Sequence, residues 1–306
     1  MARSTFPDPP GTPGPPGAPL LLRCRFPAPG TAVTCAVSGG ADSLALLVLA
    51  AAAGLEVTAV HVDHGLRPGS AREAEIVAAA AARLHADFRA EQVRVVPGPN
   101  LEARARAARY AALPDGVLTG HTADDQAETV LINLLRGAGA DGLAAMRVDA
   151  RRPLLALRRH ETLGLCRQVG LDPVVDPSNT DPRFVRNRVR HELLPLMGDI
   201  AGRDLVPILV RQAELLREDA DLLDDLAAAL DATEAKSLTD APAALARRAV
   251  RGLLREEHPP SAAEVERVLA VARLEAGACE VAGGRRVSRS RGRLVVQRSA
   301  DPDPSA

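Results

Sequence analysis

A glycine-containing turn between an apolar run and a helical run is the feature that most constrains the fold of this chain. The apolar run covers residues 31–37 and the helical run covers residues 44–49, which predicts a strand, a tight turn and a helix. The turn itself reads Ser38-Gly39-Gly40-Ala41-Asp42-Ser43. Glycines let backbone N–H groups approach a ligand closely, and the first turn of a helix directs further N–H groups and its positive dipole end to the same point. The turn therefore predicts an anion-binding site, with phosphate as the favoured ligand.

Neither a plain capped turn nor a P-loop accounts for the residues at 38–43. A plain capped turn needs one capping side chain, whereas this turn holds two serines, two glycines and an aspartate in six positions. A P-loop needs a lysine in G-x-x-x-x-G-K-[ST], and the single lysine of the chain, Lys236, lies elsewhere. Residues 137–142 match G-x-G-x-x-G, but they follow a helical segment rather than a strand and are interpreted as a helix-ending turn. The turn at 38–43 is therefore expected to hold phosphate through backbone amides and serine hydroxyls.

Short apolar runs alternate with Ala- and Leu-rich runs between residues 31 and 136. Strands are predicted near 31–37, 56–62, 91–96 and 116–120, and helices near 42–53, 70–86, 100–112 and 123–136. This alternation indicates an α/β fold with a parallel, Rossmann-like sheet. Ligands of such sheets bind at the carboxyl ends of the strands. The ends of the first, second and fourth strands, at Ser38, at 61–64 and at 120–121, are therefore expected at one edge.

The rest of the chain divides into a tail and a mainly helical part. Residues 1–29 are rich in Pro and Gly and are predicted to be a disordered tail. Residues 30–198 form the predicted catalytic domain, which includes a helix over 185–194 ended by Pro195. Residues 199–300 are predicted to form a separate domain, with a helical region and a small C-terminal α+β part that ends in short strands.

Composition limits the location and the chemistry of the protein. The formal net charge of −1 neither favours nor excludes nucleic acid, since the distribution of charge decides this. The four cysteines lie far apart without a C-x-x-C pair, which favours reduced thiols in a cytoplasmic protein. No apolar run is long enough to span a membrane, so the expected location is the cytoplasm without a membrane partner.

The turn resembles the S-G-G-x-D-S loop of the N-type ATP pyrophosphatases, the PP-loop superfamily. The resemblance implies that the predicted sheet belongs to a PP-loop ATPase domain that cleaves ATP between its α- and β-phosphates. The implied ATP-binding residues are Ser38, Gly39, Gly40, Ala41, Asp42 and Ser43. Asp42 is also expected to act in catalysis by holding Mg²⁺, because hard cations prefer oxygen ligands.

Six further segments make the chain similar to the tRNA(Ile)-lysidine synthase family. They follow in the order of that family, at residues 61–67, 102–110, 120–129, 152–155, 176–179 and 186–190. The resemblance implies that O2 of the first anticodon cytidine is adenylated by ATP with release of pyrophosphate. The ε-amine of lysine then displaces AMP from C2 of the base. The expected partners are isoleucine tRNA with a CAU anticodon and free L-lysine, and no protein partner is implied.

Two acids at the start of a predicted helix, Asp125 and Glu128, are the candidate lysine-binding residues. They lie three positions apart and so share one face of the helix. The resemblance implies that these acids bind the lysine substrate. A structural role is the alternative, because Thr122 and Asp125 also have the spacing of a capping box and acids are common in a first helical turn.

Histidines at the strand ends and arginines in a family segment are further candidate site residues. His61, His64 and His121 are expected to contact the nucleotide or the cytidine, since one short loop offers poor geometry for three metal ligands. A structural role in their loops is the alternative for the first two. Arg106 and Arg109 are the catalytic candidates, because in the family an arginine of this segment stabilises the charge that develops at the α-phosphate. Which of the two acts in this way is left open.

Binding of tRNA is expected from two parts of the chain. The resemblance implies that the domain of residues 199–300 binds the tRNA body, and a dense basic segment is the second candidate surface. The members of that segment are Arg183, Arg186, Arg188 and Arg190. Such residues contact phosphates and give affinity rather than sequence choice, and an ordinary solvated face is the alternative.

Two further functions remain open for this sequence. One is another PP-loop tRNA-modifying enzyme, such as a cytidine 2-thiolase, and the other is a non-catalytic nucleotide- or RNA-binding protein. The lack of a C-x-x-C pair disfavours the first. The intact loop with Asp125 and Glu128 disfavours the second.

Overall fold

The computed structural model describes residues 17–63, 70–93, 104, 108, 111–174, 176–256 and 260–298. The chain divides into two compact units, Met1–Ala213 and Glu214–Ala306. The boundary lies 15 residues after the predicted end of the catalytic domain at residue 198 and falls within a helix. No helix in these described ranges has both the length and the apolar character needed to cross a membrane.

A parallel sheet forms the centre of the first unit. Its strands β1 (Ala32–Ala36), β2 (Glu56–Asp63) and β3 (Asp87–Gln92) lie side by side in that order. Leu118 forms an isolated parallel bridge to Cys35 on the other side of β1. The α/β fold with a parallel sheet is therefore confirmed, and the predicted fourth strand is reduced to this bridge.

The third strand corrects the prediction over residues 91–96, because it begins at Asp87 and ends at Gln92. Most of its residues are exposed, and only Phe88 is half-buried. An outer strand of this kind lacks the continuous apolar run that marks a buried parallel strand. The pattern therefore favoured the more apolar residues that follow it.

Helices of the first unit surround the sheet and carry most of the site. They are α1 (Ala18–Leu21), α2 (Ala41–Ala52), α3 (Ser70–Arg83), α4 (Ala123–Leu135), α5 (Ala140–Leu143), α6 (Arg159–Gln168), α7 (Val185–Arg188) and α8 (Leu194–Ala201). The helix α2 is buried from Ser43 to Ala50 and packs on α6 through the largest core cluster. The turn at residues 38–43 leads directly into this buried helix.

The first 29 residues are not a disordered tail throughout, which corrects the prediction. Within residues 17–29, Leu20, Leu21 and Phe26 pack against the core cluster, and the Arg25 N–H donates to the Pro153 carbonyl at 3.2 Å. Apolar side chains inside the Pro- and Gly-rich composition supply this packing. Residues 1–16 lie outside the described residues.

Pro195 does not end the helix that precedes it. A π-helical turn, Val189–Leu193, joins α7 to α8, and Pro195 lies in the first turn of α8. Proline is tolerated in a first helical turn because its missing N–H needs no partner there. The chain therefore continues in helical form to Ala201.

The second unit contains helices and an antiparallel sheet. The helix α9 (Val206–Ala228) contains the boundary between the units and is followed by α10 (Ala235–Asp240), α11 (Ala243–Leu254) and α12 (Ala262–Ala272). The strands β4 (Ala278–Val281), β5 (Arg285–Ser290) and β6 (Arg293–Arg298) form a sheet in that order. Arg285 donates to the Leu254 carbonyl and Arg289 to the Ala272 carbonyl, so two arginines of β5 cap the ends of α11 and α12.

Candidate active site

A cavity of about 540 Å³ opens at the carboxyl ends of β1 and β2. The turn at residues 38–43, His61 at the end of β2, and the segment after Leu118 all line it. Further lining side chains come from the starts of α4 and α6, including Asp125 and Arg159. The chemically rich segments predicted from the sequence therefore meet in one place.

Hydrogen bonds within the turn fix its shape. The Ser43 hydroxyl donates to the Gly40 carbonyl at 2.9 Å and accepts from the Ser38 N–H at 3.2 Å. Gly39 has φ 85°, a conformation that favours glycine, and its carbonyl accepts the Val174 N–H at 2.9 Å. Gly40 then caps α2, and the first residues of that helix line the cavity.

Gly120 packs directly against the start of α2. A Cβ built on Gly120 would lie 2.6 Å from the Asp42 carbonyl oxygen and 3.0 Å from the Ser43 backbone nitrogen. No ordinary side chain fits at that separation. The segment that carries His121 therefore approaches the turn as closely as it does because residue 120 is glycine.

Asp42 is a desolvated carboxylate at the start of α2. It accepts a hydrogen bond from the Thr162 hydroxyl, and its Oδ2 lies 3.5 Å from Nε of Arg159. Burial raises the pKa of Asp42 to about 6, and the Thr162 hydrogen bond opposes this rise only in part.

Asp42 fits the implied Mg²⁺ as one ligand among several. Its carboxylate lines the cavity, and Mg²⁺ in nucleotide sites is held by one or two carboxylates together with phosphate oxygens. Among the described residues, no three His, Cys, Asp or Glu side chains are grouped in a way that could hold a metal ion. The donor set therefore fits a cation that is held jointly with the nucleotide.

Asp125 is buried at the start of α4 and has several partners. Its Oδ2 accepts from the Thr122 N–H at 2.9 Å and from the Thr122 hydroxyl at 3.0 Å, which completes a capping box. Its Oδ1 faces Arg159 Nη2 at 3.0 Å. Burial alone would raise the pKa of Asp125, but Arg159, Arg186 and the Thr122 N–H lower it below its usual value. The capping role and a role in the cavity coexist, because Asp125 also lines the cavity.

Glu128 lies one turn further along α4 and is only 1% exposed. Three guanidinium groups surround its carboxylate: Arg159 Nη1 at 3.1 Å, Arg186 Nε at 2.9 Å and Arg190 Nε at 2.6 Å. A buried carboxylate is stable only when it is paired in this way. We call the six side chains of Asp42, Asp125, Glu128, Arg159, Arg186 and Arg190 the arginine–carboxylate cluster.

Arg159 lines the cavity, although the sequence did not single it out. It is the first residue of α6, where a cation opposes the helix dipole and is normally disfavoured. Its neighbour Arg158 caps the same helix and pairs with Asp124 and Asp204. The sequence does contain a signal for Arg159, namely two consecutive arginines at the start of a helix. Their charge is unfavourable at that end of the helix, so acidic side chains from elsewhere in the fold are expected to pair with them.

The predicted basic segment separates into an inner and an outer pair. Arg186 and Arg190 face the arginine–carboxylate cluster. Arg183 and Arg188 face outward, and their side chains are 84% and 62% exposed. They pair with Asp181 and Glu192, which are near them in the sequence. Of these four arginines, Arg183 and Arg188 therefore have the more exposed side chains.

Two of the three candidate histidines, His61 and His121, line the cavity. His61 is buried, and its Nδ1 lies 2.9 Å from the Val37 carbonyl, so this nitrogen is the donor. Its Nε2 is buried and has no hydrogen-bond partner among the described residues. His121 Nδ1 lies 2.8 Å from the Thr119 hydroxyl. The remaining candidates, His64, Arg106 and Arg109, lie outside the described residues.

Comparisons with known proteins agree with this arrangement. The PP-loop domain family matches residues 21–197. The tRNA(Ile)-lysidine synthase of Nocardia farcinica (strain IFM 10152) is 43% identical over 301 residues, which cover 90% of this chain and 95% of that protein. The protein of the same name from Thermobifida fusca (strain YX) is 40% identical over 303 residues, or 89% and 93% of the two chains. Among solved structures, the U34-tRNA thiolase NcsA from Methanococcus maripaludis has a TM-score of 0.50 at 18% identity, covers 62% of this chain and 73% of its own, and shares the fold alone.

Proposed function

Because this chain belongs to the tRNA(Ile)-lysidine synthase family of PP-loop proteins, we propose that it uses ATP to join L-lysine to a cytidine of isoleucine tRNA. In the first half-reaction, O2 of the first base of the CAU anticodon attacks the α-phosphorus of ATP, and pyrophosphate leaves. In the second, the deprotonated ε-amine of lysine attacks C2 of that base, the C2–O2 bond breaks, and AMP leaves with the oxygen. The products are lysidine-containing tRNA, AMP and pyrophosphate.

One observation carries the proposal: a phosphate-binding turn and an acidic side chain line the same cavity. The turn at residues 38–43 offers backbone N–H groups to phosphates, and Asp125 offers a carboxylate to an ammonium group. The reaction needs these two groups close together, because the lysine amine attacks the base that the ATP has just activated. When lysine and the activated base are held in one site, their reaction becomes effectively unimolecular and no longer depends on a collision in solution.

The turn at residues 38–43 is the proposed ATP site, and Asp42 is the proposed ligand of Mg²⁺. The Ser38 and Ser43 hydroxyls and the N–H groups at the start of α2 are the proposed phosphate contacts. A bound Mg²⁺ would neutralise phosphate charge and assist departure of pyrophosphate. The roles of Arg106 and Arg109 at the α-phosphate rest on the family resemblance.

Asp125 and Glu128 are proposed to form the lysine site, in unequal positions. Asp125 lines the cavity, whereas Glu128 lies behind it under three guanidinium groups. Asp125 is therefore the proposed direct contact to the ammonium, and Glu128 the residue that fixes the arginines around it. His61 and His121 are the proposed contacts to the nucleotide or the cytidine, for which His61 Nε2 is an available acceptor.

Isoleucine tRNA is the proposed macromolecular substrate, with the outer pair of arginines, Arg183 and Arg188, as phosphate contacts. Residues 199–300 are proposed to bind the body of the tRNA. In that part of the chain, Arg285 and Arg289 cap helices and so serve the fold. The cytoplasm is the proposed location, because tRNA, ATP and lysine are available there.

The test supplies all substrates together. The full chain is mixed with ATP, Mg²⁺, labelled lysine and unmodified tRNA with a CAU anticodon, and label in the tRNA is measured with AMP and pyrophosphate. We expect one lysine per AMP formed. Asp42→Ala should abolish adenylation, and Arg158→Gln, outside the cavity lining, is the matched control that keeps activity. Activity of Asp42→Ala near that of the unchanged chain would contradict the role of Asp42.

A cytidine 2-thiolase is the second candidate, since the NcsA thiolase shares the fold. The cysteines of this chain argue against it. Burial raises the pKa of Cys35 to about 12 and that of Cys166 to about 11, so neither is a ready thiolate. If tRNA takes up no lysine but a sulfur donor supports ATP cleavage, the thiolase function is correct. If ATP is bound and never cleaved, the protein is a binding module.

A further inference from the structure

The arginine–carboxylate cluster is balanced in charge before any substrate arrives. Three carboxylates face three guanidinium groups at distances between 2.6 and 3.7 Å. Its central carboxylate, Glu128, is fully buried, so its pairing is only weakly screened by water. An added ammonium would be a fourth cation beside three anions. Release of one guanidinium from the cluster would therefore favour binding of the lysine ammonium.

Arg159 is the guanidinium best placed to leave. It is the member that bridges all three carboxylates, with Asp42 at 3.5 Å, Asp125 at 3.0 Å and Glu128 at 3.1 Å. Its side chain is 28% exposed and lines the cavity beside the turn at residues 38–43. Arg186 and Arg190 instead hold Glu128 through their Nε atoms and approach Asp125 only at 3.7 and 3.6 Å. Loss of Arg159 would therefore leave Glu128 paired and would remove the nearest guanidinium from Oδ1 of Asp125.

We propose that Arg159 closes the lysine site until ATP is bound, and that the phosphates of ATP then draw its guanidinium away from Asp125. The freed Oδ1 of Asp125 accepts the lysine ammonium in its place. This inference rests on the proposed function, and it adds an order of binding to it. By linkage, lysine must in turn strengthen ATP binding by the same factor.

Electrostatics favours this exchange. The triphosphate brings more negative charge than one Mg²⁺ neutralises, and guanidinium groups bind phosphate through two parallel hydrogen bonds. The movement is short, because Arg159 already contacts Asp42 of the turn that is proposed to hold the phosphates. Arg159 thus contacts Asp42 of the proposed nucleotide site and, at the same time, occupies the Asp125 oxygen that is proposed to bind lysine.

The test measures lysine binding by equilibrium dialysis rather than activity. Labelled lysine is dialysed against the full chain with and without Mg²⁺ and a non-hydrolysable α,β-methylene analogue of ATP. We expect the analogue to tighten lysine binding by about tenfold, within the usual range of coupling between sites. Arg159→Gln should bind lysine without the analogue about as tightly as the unchanged chain does with it. Arg158→Gln, whose guanidinium pairs with Asp124 and Asp204, is the matched control and should keep the tenfold effect.

Three outcomes would overturn the proposal. Equal lysine affinity of the unchanged chain with and without the analogue shows that no closure exists. A tenfold effect that persists in a folded Arg159→Gln variant shows that another residue closes the site. If the unchanged chain incorporates lysine into tRNA while either result holds, only this inference fails. If the unchanged chain neither binds nor incorporates lysine, the proposed function fails together with this inference.

Arg159→Lys is the second variant, for use if Arg159→Gln does not fold. Its side chain has a shorter reach, so the ATP analogue should tighten lysine binding by less than tenfold, and a full tenfold effect would contradict the proposal.

Discussion

Gly120 lies so close to Asp42 that a Cβ built on the glycine would stand 2.6 Å from the Asp42 carbonyl oxygen. This contact joins the segment after Leu118 to the start of α2. Both sides are backbone, so neither can move aside as a flexible side chain would. The segment that carries His121 can therefore lie this close to the turn at residues 38–43 only because Gly120 has a hydrogen atom in place of a side chain.

Gly120→Ala should weaken ATP binding and destabilise the first unit. The added methyl group must push the start of α2 away, and overpacking of this kind costs about 1–3 kcal/mol. We expect at least a tenfold weaker nucleotide affinity by calorimetry and a lower melting temperature. Gly164→Ala in α6 is the matched control, because a Cβ there meets no atom within 4 Å. An unchanged nucleotide affinity of Gly120→Ala would show that the turn tolerates the shift.

Asp42→Asn should stabilise the protein without ligand at neutral pH. Burial raises the folded-state pKa of Asp42 to about 6 from 3.8, so ionisation of this group opposes folding. The cost is absent below pH 4, grows as the pH rises from about 4 to 6, and is complete above pH 6. A shift of about two pKa units corresponds to at most about 3 kcal/mol. Melting temperatures of both proteins between pH 4 and 8 should diverge in that window, and parallel curves would contradict the desolvation of Asp42.

Glu128→Ala should strongly destabilise the first unit. Removal of Glu128 leaves three half-buried guanidinium groups without their central carboxylate, and loss of one partner from a buried ion pair costs about 3–5 kcal/mol. Glu192→Ala is the matched control, because the pair of Glu192 with Arg188 is half-exposed or more on both sides and contributes about 0–1 kcal/mol. Chemical denaturation followed by circular dichroism measures both. A loss below 1 kcal/mol for Glu128→Ala would show that the cluster does not stabilise the fold.

Arg183→Ala and Arg188→Ala should weaken tRNA binding and leave lysine binding unchanged. Each proposed phosphate contact contributes about one unit to the slope of log affinity against log salt. We therefore expect both variants to bind tRNA more weakly at low salt and to show a reduced slope in filter binding. Arg136→Ala, an exposed arginine at the end of α4 and outside both proposed tRNA surfaces, is the comparison. Slopes equal to that of the unchanged chain would remove the outer pair from the tRNA surface.

The first strand, the turn and α2 could be predicted because local signals agree there: an apolar run, two glycines and a helix that is buried along most of its length. The third strand was misplaced because β3 is mostly exposed and carries little apolar pattern. Arg159 could not be found from spacing, since its partners Asp42 and Glu128 are brought to it only by the fold. The split of the basic segment has the same cause, because acids on α4 select which arginines turn inward.

The π-helical turn Val189–Leu193 gives the chain one more residue than an α-helix would use for the same turn. Each residue rotates a helix by about 100°. If the same residues formed a regular α-helix instead, everything after them would be rotated by about that angle. Leu194 and Met197, which pack on the core, would then exchange places with exposed positions such as Leu196. The π-helical turn thus sets which face of α8 meets the core. Arginines before and within the turn contact the cluster, and apolar side chains after it pack on the core.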